Sequence, residues 1–174
     1  MKNQKNNNVI LLCGHGSKSK HHSINLRKIK KKIEEKINIK VFTSFLEVNK
    51  PSLEDCLLKY PKKYDRVFIF PFLIFEGNHF KRDVKRLVQK YNESKNVVLI
   101  DKLSLLNEIL PETTKILKKK INKEENTILV TSSSYSKDKS VLLDLQKYTR
   151  LLSKELNVSE SFFHYVGGEN NVVE

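Results

Sequence analysis

Val9-Ile10-Leu11-Leu12-Cys13-Gly14-His15-Gly16-Ser17 is the stretch on which the fold turns. Five apolar residues follow one another without alternation and stop at a Gly-His-Gly loop. An unbroken apolar run of that length is the mark of a strand buried on both faces, which in turn implies a parallel sheet. Downstream, Ile24, Leu26, Ile29, Ile33 and Ile37 recur at helical spacing among lysines, so the residues predict a helix over 23–37. Ile39 to Phe45 alternates and is β-rich, and Pro51 opens a short helix to about Tyr60 at a favoured first-turn position.

The same rhythm continues to the end of the chain. Arg66 to Phe72 predicts a buried strand, 78–91 a helix, 97–100 a strand and 105–121 a helix. Thr127 to Thr131 predicts a strand, Lys139 to Leu156 a helix, and Ser161 to Val166 a last strand. Strands alternating with helices imply right-handed crossovers. The expected class is therefore α/β, an open, mostly parallel sheet with helices on both faces and functional loops at the carboxyl ends of the strands. A faint echo aligns Ile10–Lys20 with Ile128–Asp138, which pairs His15 with Ser133 and Glu47 with Val166. The expected organisation is a polar tail over 1–8, a main lobe over 9–122 and a degenerate, incomplete second lobe over 123–174.

Composition narrows the class. The chain has 174 residues, 39% hydrophobic and 30% charged, which suits one domain or two small lobes able to fold without staples. The longest apolar run, Val67 to Phe75, is broken by Pro71 and is far short of the ~20 residues of a membrane span. MKNQKNNN carries no signal-peptide core, and two cysteines, Cys13 and Cys56, make no disulfide framework. A reducing, cytoplasmic setting with no membrane partner is expected. The net charge of +13 comes mainly from lysines in helical periodicity, such as Lys28 to Lys32, where a charge run is usually a solvated face. No nucleic-acid-binding signature accompanies it, so a nucleic-acid partner is disfavoured, while attraction of a small polycarboxylate fits.

Three loops after strands each offer one donor: His15, Glu47 after Phe45-Leu46, and His79 in Glu76-Gly77-Asn78-His79. His15 to Glu47 and Glu47 to His79 are both 32 positions, one β-α step each, so all three can converge on one edge of a parallel sheet. Two imidazoles and a carboxylate suit Fe, Co, Ni or Zn, and three ligands leave positions open for a transient metal. Taken singly, each has a plainer reading: a tight or anion-cradling turn for Gly-His-Gly, a solvated carboxylate for Glu47, a surface histidine for His79. His21 and His22 read as solvent-facing, His164 as strand packing, and Cys13 as a small hydrophobe.

Gly14-His15-Gly16-Ser17, Phe45-Leu46-Glu47 with Pro51-Ser52, and Pro71-Phe72-Leu73 with Gly77-Asn78-His79 and Asp83 together resemble the sirohydrochlorin chelatases of the CbiX/SirB type, over roughly Val9 to Leu106. Ser19-Lys20 stand where that family usually has Asp-Pro. The resemblance implies insertion of Co²⁺ or Fe²⁺, with Ni²⁺ also admitted, into sirohydrochlorin for cobalamin or siroheme, with no organic cofactor. It implies His15 and His79 as metal-binding histidines and Glu47 as their acidic partner, all three catalytic. A polycarboxylate substrate fits a basic rim of Lys18, Lys20, Lys81 and Arg82, with Ser17 beside a helix N-terminus. The short second lobe lacks the third motif, so the expectation is either a homo-oligomer whose partner chain completes the cleft or a truncated fold. The competing readings are a non-catalytic metal or tetrapyrrole carrier, a basic nucleic-acid binder, and a phosphotransfer enzyme built on His15.

Overall fold

The computed structural model describes residues 7–74, 83–92, 95–101, 103–121 and 126–166. The chain divides into two compact units, Met1–Lys102 and Leu103–Glu174. The helix after Leu105 packs within the second of these units.

In the first unit, β1 (Asn8–Gly14), β2 (Lys40–Phe45), β3 (Arg66–Pro71) and β4 (Val97–Leu99) form a sheet in the order β2-β1-β3-β4, parallel at every pairing. The helices are α1 (Lys20–Ile37), α2 (Leu53–Lys59) and α3 (Lys85–Tyr91). One face of β1 carries Ile10 and Leu12 against Leu26, Ile29 and Ile33 of α1. The other carries Val9, Leu11 and Cys13 against Leu53, Cys56 and Leu57 of α2 and Val88 of α3. Burial on both faces is what an unbroken apolar run requires, and the expected α/β class with helices on both sides holds.

Local chemistry sets the helix ends and faces. The packed stripe of α1 is His22, Leu26, Ile29, Ile33, spaced by fours and threes, with Leu26 buried and the others half-buried, whereas Ile24 and Ile37 are exposed. Both isoleucines count among the periodic apolar residues of the sequence, but Ile24 lies two residues from His22, about 160° away from the stripe at its level on a 3.6-residue helix. Asn38 closes α1 in the left-handed region at φ 52°. Pro51 does not begin α2 but precedes its cap. Ser52 Oγ accepts from Asp55 N–H while the Asp55 carboxylate accepts from Ser52 N–H, a reciprocal capping box.

The second unit holds a π-helical turn at Leu105–Ile109, α4 (Leu110–Lys118), β5 (Ile128–Ser134), α5 (Lys139–Leu156) and β6 (Glu160–Val166). The turn widens just before Pro111, whose nitrogen has no hydrogen to donate. β5 and β6 pair in parallel over their full lengths, so Ser132–Ser134, read from sequence as a loop, are strand residues opposite His164–Val166.

The echo between the two units is real in shape and shifted by one residue from the sequence alignment. Both helices have 18 residues, and their starts and left-handed asparagine caps are 119 positions apart (20 to 139, 38 to 157). Ser17 Oγ accepts from Ser19 N–H as Ser136 Oγ accepts from Asp138 N–H, again 119 apart. His15 therefore corresponds to Ser134, not Ser133, and Phe45 and Leu46 correspond to Tyr165 and Val166 through the paired registers. A one-residue slip exchanges the faces of a strand, and packing against the helix excludes it.

Candidate functional site

β1 sits between β2 and β3, so the chain leaves β1 toward one side for β2 and returns past it for β3. This reversal makes the crevice at the carboxyl ends of β1 and β3 the expected binding position in an open parallel sheet. The loop after β1 carries His15. The loop after β3 leads toward Glu76, His79, Lys81 and Arg82, which lie outside the described residues.

The loops that carry His15 and Glu47 are joined backbone to backbone. Leu46 N–H donates to Gly14 O at 3.0 Å, and Glu47 N–H donates to His15 O at 2.9 Å. Asn49 Oδ1 accepts from Ser17 N–H at 2.7 Å, extending the join by one more step. Gly16 takes φ +99°, and a Cβ there would lie 1.9 Å from Glu47 O, so only glycine fits. Val48, exposed at the tip of the opposite loop, also takes a left-handed φ of 61°, which a β-branched residue adopts only when its surroundings impose it.

His15 is half-buried and Glu47 is exposed. His15 Nδ1 lies 3.3 Å from Gly16 O; with the ring proton on Nδ1 the imidazole donates to that carbonyl and keeps its lone pair on Nε2. Lys18 and Lys20 are exposed beside this loop, and Ser17 is half-buried with its N–H already given to Asn49 and its Oγ accepting from Ser19 N–H at 3.1 Å. Among the described residues no three His, Cys, Asp or Glu side chains gather into a metal-holding group. The structure thus joins the backbones of the His15 and Glu47 loops, and the third expected donor, His79, falls outside the description.

Other titratable groups of the first unit are set by burial and hydrogen bonding. Burial pushes the Cys13 thiol up to about 12 and the Cys56 thiol up to about 11, which leaves both unreactive. Burial also acts to raise Glu34, but hydrogen bonds from Lys30 Nζ and Val41 N–H, both at 2.8 Å, hold its carboxyl below the ordinary range. The α1 lysine run is thus a solvated face partly neutralised by its own glutamates.

Two residues near the site escaped the sequence reading. His22 is not solvent-facing: it is half-buried, its ring 6.3 Å from that of Phe45, and its Nδ1 is buried with no hydrogen-bond partner. Its counterpart in the second unit is Val141, a core residue, so the helical stripe itself was the missed signal. Asn49 escaped because no motif names it, although Ser17 to Asn49 repeats the 32-residue step of His15 to Glu47. His164, expected as strand packing, lies on the exposed face of β6. A cavity of about 520 Å³ in the second unit, bordered by Leu110, Thr114 and the Lys118–Glu155 ion pair, holds none of the expected donors.

The first unit is thus an open parallel α/β sheet whose switch-point loop, with His15, is bonded through the backbone to the loop with Glu47. Comparison with known proteins assigns the chain to a family. The CbiX family model matches residues 9–123, and the chain belongs to the CbiX family. A sirohydrochlorin cobaltochelatase of Saccharolobus solfataricus is 39% identical over 54 residues, 30% of this chain and 42% of that protein. One from Saccharolobus islandicus is 32% identical over 94 residues, 53% of this chain and 73% of that one. The sirohydrochlorin chelatase SirB from Bacillus subtilis subspecies spizizenii, solved in complex with cobalt, superposes with a TM-score of 0.71 at 17% identity. That match covers 90% of this chain and 66% of SirB, and at such identity it establishes the fold. No helix among the described residues is long and apolar enough to cross a membrane.

Proposed function

We propose that this chain inserts a divalent metal, Co²⁺ or Fe²⁺, into sirohydrochlorin, and that His15, Glu47 and His79 hold the ion before transfer. The observation that supports it most is the backbone join between the His15 and Glu47 loops at the sheet's switch point, in a chain of the CbiX family.

A metal-binding histidine usually donates its second ring N–H to a carbonyl or carboxylate, and Gly16 O is placed to receive it, which leaves His15 Nε2 as donor atom. Glu47 supplies an anionic oxygen. A mixed imidazole and carboxylate set accepts Co²⁺ and Fe²⁺ alike, and the cobaltochelatase relatives favour cobalt as the first metal to test. Insertion binds one M²⁺ to the four ring nitrogens and releases two N–H protons. As the ion leaves, the freed imidazoles and carboxylate are the nearest bases to accept them. Lys18, Lys20, Lys81 and Arg82 are the charge-assisted partners for the substrate carboxylates, and Ser17 contributes through its hydroxyl, since its amide is engaged. Self-association belongs to the same proposal, supported by the exposed apolar side chains Ile128, Val130, Phe162 and Val166 on one face of the second unit's sheet.

The test is anaerobic metal insertion followed by sirohydrochlorin absorbance, with protein far below substrate. Multiple turnovers with Co²⁺ or Fe²⁺ support the proposal. A single stoichiometric turnover makes the chain a carrier, and a rate equal to the uncatalysed one overturns the assignment.

A further inference from the structure

We infer that Asn49 is a positioning residue, fixing the His15 loop against the Glu47 loop through the hydrogen bond from Ser17 N–H to Asn49 Oδ1. The inference rests on the proposed function only for its consequence; the geometry stands without it. Gly14 O, His15 O and Ser17 N–H, three groups within four residues, all bond to one short segment, Leu46 to Asn49. Two of these bonds are backbone to backbone. Asn49 supplies the third with a side chain, so it is the bond in this join that substitution can remove.

The position explains why the bond matters. Gly16, between His15 and Ser17, has no Cβ and occupies φ +99°, the least restrained residue of the loop. On the facing side Val48 is held at φ 61°, where a β-branched side chain is strained. The Ser17–Asn49 bond closes over both: it fixes the residue after Gly16 and the residue after Val48 to each other. Without it the residues after Gly16 and after Val48 lose their side-chain tie, the two backbone bonds from Leu46 and Glu47 remain, and the loops that carry His15 and Glu47 lose one restraint on their relative placement. Asn49 touches no reacting atom in this scheme; it acts through the two loops. An aspartate of the same shape retains an oxygen acceptor for the Ser17 amide, whereas alanine does not.

The experiment compares wild type, Asn49→Ala and Asn49→Asp by amide hydrogen exchange at Ser17, by Co²⁺ titration of the metal-free protein with the visible Co²⁺ absorption bands recorded, and by circular dichroism. The expected result is faster Ser17 exchange in Asn49→Ala with unchanged circular dichroism. Co²⁺ affinity in that variant is expected to fall about tenfold to a hundredfold, the usual cost of losing an outer-shell partner, with altered absorption bands. Asn49→Asp restores the protection and the bands. Ser17 exchange unchanged in Asn49→Ala, or exchange accelerated with Co²⁺ affinity intact, overturns the inference while the proposed function stands. Wild-type protein that binds neither Co²⁺ nor Fe²⁺ in the same titration, run anaerobically, overturns the proposed function, and with it the consequence drawn here.

Discussion

In the first unit, β1, α1 and β2 run from Asn8 to Phe45; in the second, β5, α5 and β6 run from Ile128 to Val166. Helix length, left-handed asparagine cap and parallel pairing are the same in both. Burial is not. Leu11, Leu12 and Cys13 are fully enclosed in β1, while β5 alternates, its Ile128 and Val130 exposed at 56% and 61%. The βαβ geometry is therefore carried by the helix, its caps and one packed strand face alone. A second covered face is a separate addition, which the first unit obtains from α2 and α3. The proposed metal donor follows that addition: the loop with His15 lies where both faces and both edges of the central strand are occupied, and its counterpart Ser134 is exposed.

The largest expected contrast is in thiol reactivity. Cys13 and Ser132 occupy corresponding strand positions, one enclosed and one exposed. With Cys13 raised to about 12 and Cys56 to about 11, native wild type should resist alkylation at pH 8. Ser132→Cys should add one thiol that reacts about a thousandfold faster. Comparable labelling of Cys13 in the folded protein would erase the distinction between the faces. Next in size is core deletion. Leu11→Ala, on the face covered by α2 and α3, should cost about 3 kcal/mol in urea unfolding, whereas Val130→Ala at the corresponding position should change stability by under about 0.5 kcal/mol. Equal losses would mean that the outer face of β5 is covered in solution. The smallest contrast is in the caps: Asp138 Oδ1 accepts from Ser140 N–H at 3.0 Å, while Ser19 makes no side-chain cap to α1. Asp138→Ala should cost about 1 kcal/mol, and Ser19→Ala a few tenths.

Much of this was legible in the sequence. The run Val9 to Cys13 declared a doubly covered strand, and the 32-residue interval placed His15 and Glu47 on neighbouring strand ends, as the Glu47-to-His15 backbone bond bears out. The run could not declare its own phase. A strand apolar on both faces has no parity, so aligning Ile10 with Ile128 looked as good as aligning Val9 with Ile128; only the helix contacts and Asn38/Asn157 fix the choice. Ser132 to Ser134 read as loop because serine has no strand preference of its own, and pairing with β6 decided it. Asn49 and His22 act through tertiary neighbours, which no local pattern encodes.

The central claim is that metal chemistry belongs to the first unit's loop and not to its structural copy. Co²⁺ insertion into sirohydrochlorin by wild type, His15→Ala and Ser134→Ala, under one set of conditions with circular dichroism as the folding control, tests it most directly. Folded His15→Ala is expected to fall to the uncatalysed rate and to bind Co²⁺ more weakly, while Ser134→Ala matches wild type in both. A folded His15→Ala that keeps wild-type turnover, or a Ser134→Ala that loses it, would contradict the account.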